Sequence, residues 1–467
     1  MNFTHEQFLS PFSWRYGSSQ MRSIWGETHK RRLWRRLWVA LARTQQVAGL
    51  VTQEQVDDLA AHVEQVDLKR ALEIEDQIQH DLMAEVRTFA EQCPIGGGII
   101  HMGATSADIQ DNADVLRMRD SLDLVLKALR DLLELLTERI DALSEHVVMA
   151  YTHIQPAEPT TMGYRLALYA QDVLDDYHAL QEVRDGLRGK GLKGAVGTSA
   201  SYSELLAGHD MTPAELEARV MAAIELPIYA VASQTYTRKQ DWRVVSTLSG
   251  LASSLYKFAF DLRLLQSPVI GEWGEPFSKD QVGSSAMPFK RNPIQSEKIN
   301  SLGRLVRAMT EVAWDNASHS LLERTLDDSA NRREMLPVAF LATEEMVRSA
   351  IRIIRDLRID EGAAQRNLAR FGVFSAGERV LMAATKAGAD RQAMHELLRE
   401  HSLAAWSAMA NGQPNPLIES LAASVELNRY LKSETIHELL DASAYVGDAP
   451  QRARAFASHI HDTFAKD

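Results

Sequence analysis

The stretch from Asp108 to Val148, DIQDNADVLRMRDSLDLVLKALRDLLELLTERIDALSEHVV, decides the fold class. Leu122, Leu126, Leu129, Leu133, Leu136, Ile140, Leu143 and Val147 follow one another at alternating spacings of four and three. That is the apolar seam of a helix held over more than three heptads. Val125, Ala128, Leu132 and Leu135 form a second stripe beside it. A helix with two apolar faces is packed on two sides, as in the middle of a bundle.

Working outward, similar long patterns run about 158–187, 234–268 and 293–322. Glycine-, serine- and proline-rich breaks separate the patterns: IGGGII at 95–100, RGKGLKGAVGTSAS at 188–201 and VGSSAMPFKRNP at 282–293. Alternating β-type runs are few and short. The expected fold is all-α, with a helical N-terminal domain (1–106), a central long-helix bundle domain (107–355) and a small C-terminal helical domain (356–467). In the last, helices are expected to be short, broken at Gly372, Gly377, Gly388 and Gly412. Helices of about 30 residues span roughly 45 Å, more than one compact domain needs, so their stripes are expected to be shared between subunits.

Composition narrows the function. The 467 residues are 45% hydrophobic and 24% charged, an ordinary globular balance. The 51 Lys and Arg against 63 Asp and Glu leave a net charge of −12, a poor footprint for nucleic acid. No window approaches 18 uninterrupted apolar residues and the first residues lack an apolar signal core, so neither membrane nor export is expected and the cytoplasm is the default. The single cysteine, Cys93, has no partner for an internal disulfide.

Three features imitate chemistry. Gly189, Gly191 and Gly194 match G-x-G-x-x-G, but a helical pattern precedes them, so they read as a plain loop rather than a dinucleotide site. Lys30 to Trp38, KRRLWRRLW, reads as an amphipathic helix with its basic residues on a solvated face. His459 and His461 have no third ligand at helical spacing and read as a surface pair, so no metal is expected.

Three other segments have the wrong residue types for a helical scaffold. HMGATSADIQDN (101–112) is a hydroxyl-rich helix entry, which as scaffold is an N-cap through Thr105 or Ser106. YTHIQPAEPTT (151–161) is a polar turn, which as scaffold connects two helices. GSSAMPFKRNP (283–293) is a loop rich in donors, with Lys290 and Asn292 just before the next helix. These resemble the three signature segments of the fumarase/aspartase superfamily. HDLMAEVRTF (80–89), GIIHMGATS (98–106), SQTYTRK (233–239) and ERTLDDSANRR (323–333) are similar to the adenylosuccinate lyase family of the type found in animals. The resemblance runs from about Ser10 to about Glu396.

The resemblance implies a three-domain lyase fold whose long helices assemble in a homotetramer, with each active site shared between chains. It implies elimination of fumarate from adenylosuccinate, giving AMP, and from the succinylaminoimidazole carboxamide ribotide of purine synthesis, with no cofactor and no metal. By the family pattern the base is Ser284, ionised in the field of Lys290 and the Gly283–Ser285 backbone N–H groups. His153 is the acid, and His80 lies beside the substrate with Asp81; His101 stays open. Thr105, Ser106, Thr152, Lys290 and Asn292 are implied as carboxylate donors, Gln234 as the substrate-binding glutamine, and Glu297 as the group orienting His153 or Lys290. Arg324, Ser329 and Arg333, with Arg15 and Tyr16, are implied at the nucleotide end. Ser329 and Arg333 are i, i+4 on a helix start, a natural phosphate site; as scaffold, Glu323, Arg324, Asp328 and Arg332 make a salt-bridged surface. The family carries arginine where this chain has Gln79 and Lys298, which touches phosphate recognition more than reaction type. The competing readings are a sister carbon–nitrogen lyase acting on another N-succinyl adduct, and a non-catalytic relative, which would have no need of Ser284 or His153.

Overall fold

The computed structural model describes residues 6–465. Helices dominate it, and the only strands among the described residues form two small two-stranded sheets. The chain forms two compact units, each gathered from three separate stretches: residues 1–129, 176–255 and 301–348 in the first, and 130–175, 256–300 and 349–467 in the second. No helix among the described residues is long and apolar enough to cross a membrane.

In the first unit, α1 (Glu27–Val47) carries Leu33, Trp34, Leu37 and Trp38 into the core. Its basic side is not the solvated face the sequence suggested. Arg31 and Arg35 are fully buried, because Glu85 of α2 (Asp81–Gln92), itself 0% exposed, accepts from Arg31 Nη1 at 3.1 Å and from Arg35 Nε at 2.6 Å. Only Arg32 and Arg36 of that run reach water, both pairing with Glu64.

The heptad stretch forms α3 (Ser106–Ala142), 37 residues or roughly 55 Å long. Leu122, Leu129, Leu133, Leu136 and Ile140 are buried, and so are Val125 and Leu132 of the second stripe. The helix ends before the stripe does. Ser144 Oγ bonds back to Asp141 O, and the β-branched pair Val147–Val148 enters β1 (Val147–Thr152) instead. β1 pairs antiparallel with β2 (Gln155–Thr161), so the expected polar turn is a hairpin. Two prolines in β2 and a two-residue tip without glycine hid it. From β2 the chain passes into α4 (Met162–Asp185). Gly163 allows the crossing: a Cβ there would lie 2.5 Å from Ile140 O.

The patterns at 234–268 and 293–322 become α5 (Lys239–Leu265) and α6 (Ile294–Ser318). α7 (Asp327–Arg355) is a further long helix outside the patterns read from the sequence. The C-terminal helices are longer than expected. α8 (Glu361–Lys386) runs unbroken through Gly372 and Gly377. An interior glycine costs a helix only about 1 kcal/mol, and Gly372 has a packing reason, since its Cβ would stand 2.6 Å from Ala442 Cβ. Gly388 and Gly412, with positive φ just past the ends of α8 and α9 (Arg391–Ala410), do stop helices.

Candidate active site

In the first unit the pieces converge around the start of α7. A cavity of about 130 Å³ is lined by Asp81, Gln110, Arg324, Asp328, Ser329 and Arg333, with Trp25 and Trp34 beside them. Asp327 and Asp328 open α7, as the sequence suggested. Arg333 Nη2 donates to Asp81 Oδ2 at 3.1 Å, and Gln110 Nε2 to Asp81 Oδ1 at 3.0 Å. His80 caps α2: its Nδ1 accepts from Met83 N–H at 3.4 Å and lies 3.8 Å from Asp81 Oδ1. Its side chain is 44% exposed. Gln234 reaches the same region through its backbone, whose N–H donates to Glu323 O at 3.2 Å. The salt-bridged alternative is present too, as Arg324 Nη1 donates to Asp328 Oδ1 at 2.8 Å.

Arg15 and Tyr16 do not line this cavity. Arg15 lies over the Trp14 ring and Tyr16 beside Phe12. Gln79 ends its helix in the left-handed region at φ 54°, with its amide turned back on Asp76 O.

The hydroxyl-rich loop before α3 is held by Asp108 rather than by a Thr105 or Ser106 side-chain cap. The Thr105 N–H donates to Asp108 Oδ2 at 3.1 Å. Asp108 is fully buried; it pairs with Lys190 and accepts from Lys193 N, Gly194 N and the Tyr202 hydroxyl. The glycine-rich segment 188–201 is therefore a collar for Asp108, which the bare G-x-G-x-x-G could not reveal. His101, φ 67°, accepts from Trp38 Nε1–H at 3.1 Å. Burial, opposed by Asp108 and aided by His80, lowers its pKa to about 4, so it is neutral at pH 7 and fixed as an acceptor.

The sequence reading gave no site role to Asp111, Asp114, Arg238 and Arg332, which also line the cavity, or to Asp241 behind them, and placed Arg332 only on a salt-bridged surface; all but Asp114 are almost fully buried. The signal was available. Asp108, Asp111 and Asp114 recur every three residues at the start of an apolar-striped helix, where buried carboxylates need partners.

In the second unit, the hairpin tip carries His153 and Ile154 with φ 54° and 62°. Both residues are in the left-handed region, the geometry of a tight hairpin turn that glycine or asparagine usually serves. Ile154, β-branched and 67% exposed, gains no burial in return. Ile154→Gly is therefore expected to stabilise the protein by about 1 kcal/mol, measured by urea unfolding against wild type; an unchanged or lower midpoint would show the tip to be unstrained. The hairpin base is anchored: Arg165 bonds Glu272 Oε2 at 3.0 Å and Met149 O, and Asn367 bonds Glu272 Oε1 at 3.0 Å. Burial, with Glu272 close by, pushes the Tyr151 phenol up to about 12. Thr152 lines an open groove with Ser375 and Glu378 of α8.

Ser284 lies in the loop before α6. Its Oγ accepts from Met287 N–H at 3.1 Å and Ala286 N–H at 3.4 Å. The backbone donors are thus Ala286 and Met287, not the Gly283–Ser285 groups the sequence suggested. The loop is pinched: a Cβ on Gly283 would stand 2.0 Å from Lys290 O, and Asn292 Nδ2 donates to Gly283 O at 3.1 Å. Lys290 follows directly, its N–H bonded to Met287 O. Glu297 and Lys298 lie in the first turns of α6, with the Glu297 carboxylate 3.9 Å from Arg263. Glu275 holds the helix start, accepting from Gln295 and Ser296 N–H. No hydrogen bond among the described residues joins His153 to Ser284.

Comparison with known proteins bears out the family resemblance. A family model described as "Lyase" matches residues 15–308, and one described as "Adenylosuccinate lyase C-terminus" matches residues 374–456. Adenylosuccinate lyase of Saccharomyces cerevisiae is 37% identical over 462 residues, covering 97% of this chain and 94% of the relative. That of Schistosoma mansoni is also 37% identical, over 460 residues with the same coverage, and that of Archaeoglobus fulgidus 31% identical over 460 residues, covering 97% of this chain and 99% of the relative. Among solved structures, a 3-carboxy-cis,cis-muconate lactonizing enzyme from Pseudomonas putida has a TM-score of 0.84 at 24% identity, covering 96% of this chain and 99% of that one. A fumarate lyase from Mesorhizobium has a TM-score of 0.83 at 21% identity, covering 97% and 99%; both share the fold. The chain belongs to the adenylosuccinate lyase family of carbon–nitrogen lyases.

Proposed function

We propose that this chain releases fumarate from adenylosuccinate, giving AMP, and from the succinylaminoimidazole carboxamide ribotide, giving its carboxamide product. Ser284 takes the proton from the succinyl carbon next to a carboxylate. The electron pair collects on that carboxylate as an aci-carboxylate. Collapse breaks the carbon–nitrogen bond, and His153 delivers the proton to the departing nitrogen. The observation that carries this reading is the pair of backbone N–H groups aimed at Ser284 Oγ. A serine hydroxyl is a weak base, and donors to its oxygen favour the ionised form. Lys290 adds positive charge three residues beyond Met287.

The remaining roles follow the chemistry of each side chain. Thr105, Ser106, Thr152, Lys290 and Asn292 are the donors for two carboxylates. His80 and Asp81 stand beside the substrate with Gln234. Arg324, Ser329 and Arg333 meet the phosphate at the start of α7, a favourable place for an anion, with Arg15 and Tyr16 contributing from the N-terminal segment and Glu297 and Lys298 from α6. The working form is a homotetramer with sites completed between chains. The test is incubation with adenylosuccinate and, separately, argininosuccinate, followed by NMR for fumarate. Fumarate and AMP from adenylosuccinate alone are expected. No fumarate from folded, tetrameric protein would overturn the reading.

A further inference from the structure

We propose that Asp328, clamped from behind by Arg238, is a positioning residue that aims Arg324 at the substrate phosphate. The proposal rests on the reading above that Arg324 meets that phosphate. Five arginines line the α7 cavity. Arg117 is spent on Asp114 and on the Ile24 and Trp25 carbonyl groups, and the other four fall into two pairs.

Arg238 and Arg332 are consumed by buried acids. Arg238 gives Nη1 and Nη2 to the two oxygens of Asp111 at 3.0 and 3.1 Å, and Nε to Asp328 Oδ2 at 2.6 Å. Arg332 bonds Asp241, Asp114 and the Tyr236 hydroxyl at 2.7, 3.2 and 2.9 Å. With every nitrogen of Arg238 committed, its planar fork is fixed in position and orientation. Arg324 and Arg333 hold one acid each, Asp328 and Asp81. Among the described residues, the Arg324 side chain hydrogen-bonds Asp328 alone, through Nη1. Its remaining donors keep their capacity for an anion in the cavity.

Asp328 therefore joins a fixed element to a working one. Oδ2 is held by Arg238, and Oδ1 holds Arg324. Asp328 and Arg238 are each about 3% exposed, whereas Arg324 is 24% exposed. Burial pushes the Asp328 carboxyl up, but Arg238, Arg332 and Arg324 outweigh it, so the carboxylate stays ionised. A flexible arginine loses side-chain entropy when it binds phosphate. One whose head is already tethered has given up much of that freedom beforehand. The pair Arg324–Asp328 thus acts as a pre-aimed donor, with Arg238 as its footing.

The experiment is a double-mutant cycle on the full-length enzyme with Asp328→Asn, Arg324→Ala and the double variant. For each, KM and kcat for adenylosuccinate and the Kd for AMP are measured, with folding and assembly checked by circular dichroism and gel filtration. Asp328→Asn is expected to raise KM and the AMP Kd about tenfold with kcat little changed, since misplacing a binding group loses affinity rather than chemistry. Arg324→Ala is expected to raise both more, and adding Asp328→Asn to Arg324→Ala should change little further, because the two act as one unit. Additive losses, or an Asp328→Asn effect on kcat at unchanged KM, would overturn the proposal while leaving the phosphate role of Arg324 intact. An Arg324→Ala variant with unchanged KM and AMP affinity would overturn that role, and the proposal with it. If Asp328→Asn does not fold, Asp328→Glu replaces it: it keeps the charge, displaces Arg324 and carries the same expectations.

Discussion

Ser284→Ala is expected to lower kcat by roughly 10²–10⁴-fold, the contribution of a positioned general base, while AMP still binds as tightly as to wild type. The two halves of this expectation have separate structural causes. The Ser284 oxygen sits in a pinched loop of the second unit, where Met287 and Ala286 point their N–H groups at it. The nucleotide end is assigned to Arg324, Ser329 and Arg333, in the first unit's cavity. Alanine removes the oxygen and leaves the loop's own constraints in place, namely the Gly283–Lys290 approach and the Asn292 bond. A variant within tenfold of wild type would show that Ser284 is not the base. Subunit exchange extends the test. If sites are completed between chains, inactive Ser284→Ala and His153→Ala variants, mixed and reassembled, should regain activity at about a quarter of their sites, those that draw an intact serine and an intact histidine from different subunits. Mixtures that recover no activity would make each chain responsible for its own site.

The largest stability effect is expected in the core of the first unit, one turn along α2 from Asp81. Glu85→Ala should destabilise the protein by about 3–5 kcal/mol, because it leaves Arg31 and Arg35 buried without the acid they share. Both arginines are almost completely excluded from water, and Glu85 is their common partner. Glu75 touches only Arg31, and otherwise Arg35 has carbonyl groups and the Gln92 amide. The control is Glu64→Ala. Glu64 pairs with Arg32 and Arg36 on the same helix, but its side chain is 53% exposed, so its loss should cost less than about 1 kcal/mol. Urea unfolding of the two variants at equal protein concentration measures the difference. Equal, small losses would mean that water reaches the Arg31–Glu85–Arg35 cluster.

The contrast between Glu85 and Glu64 also marks where sequence reading stops. KRRLWRRLW shows a helix and its apolar face, because that face is a property of local spacing. Which of its arginines are buried depends on the acid that α2 brings from fifty residues away. In the same manner, the stripe from Leu122 to Val147 foretold the long helix, but its end at Ala142 depends on Gly163 packing against Ile140 and Ser144.

The site divides along the same line. Ser284, His153, His80 and the Arg324–Ser329–Arg333 set are proposed from the sequence because they lie in short runs whose residue order is itself distinctive. Sequence by itself determined the helical class, the breaks between long helices and the family resemblance. Tertiary structure alone decided that His153 rides on a strained hairpin, that Ala286 and Met287 supply the donors to Ser284, and that Asp108 and Asp111 are buried, and Asp114 half-buried, among lysine and arginine partners. The reason is physical. Periodicity and turn composition act between neighbours in the chain, whereas the partner of a buried charge is chosen by whatever the fold brings within 3 Å of it.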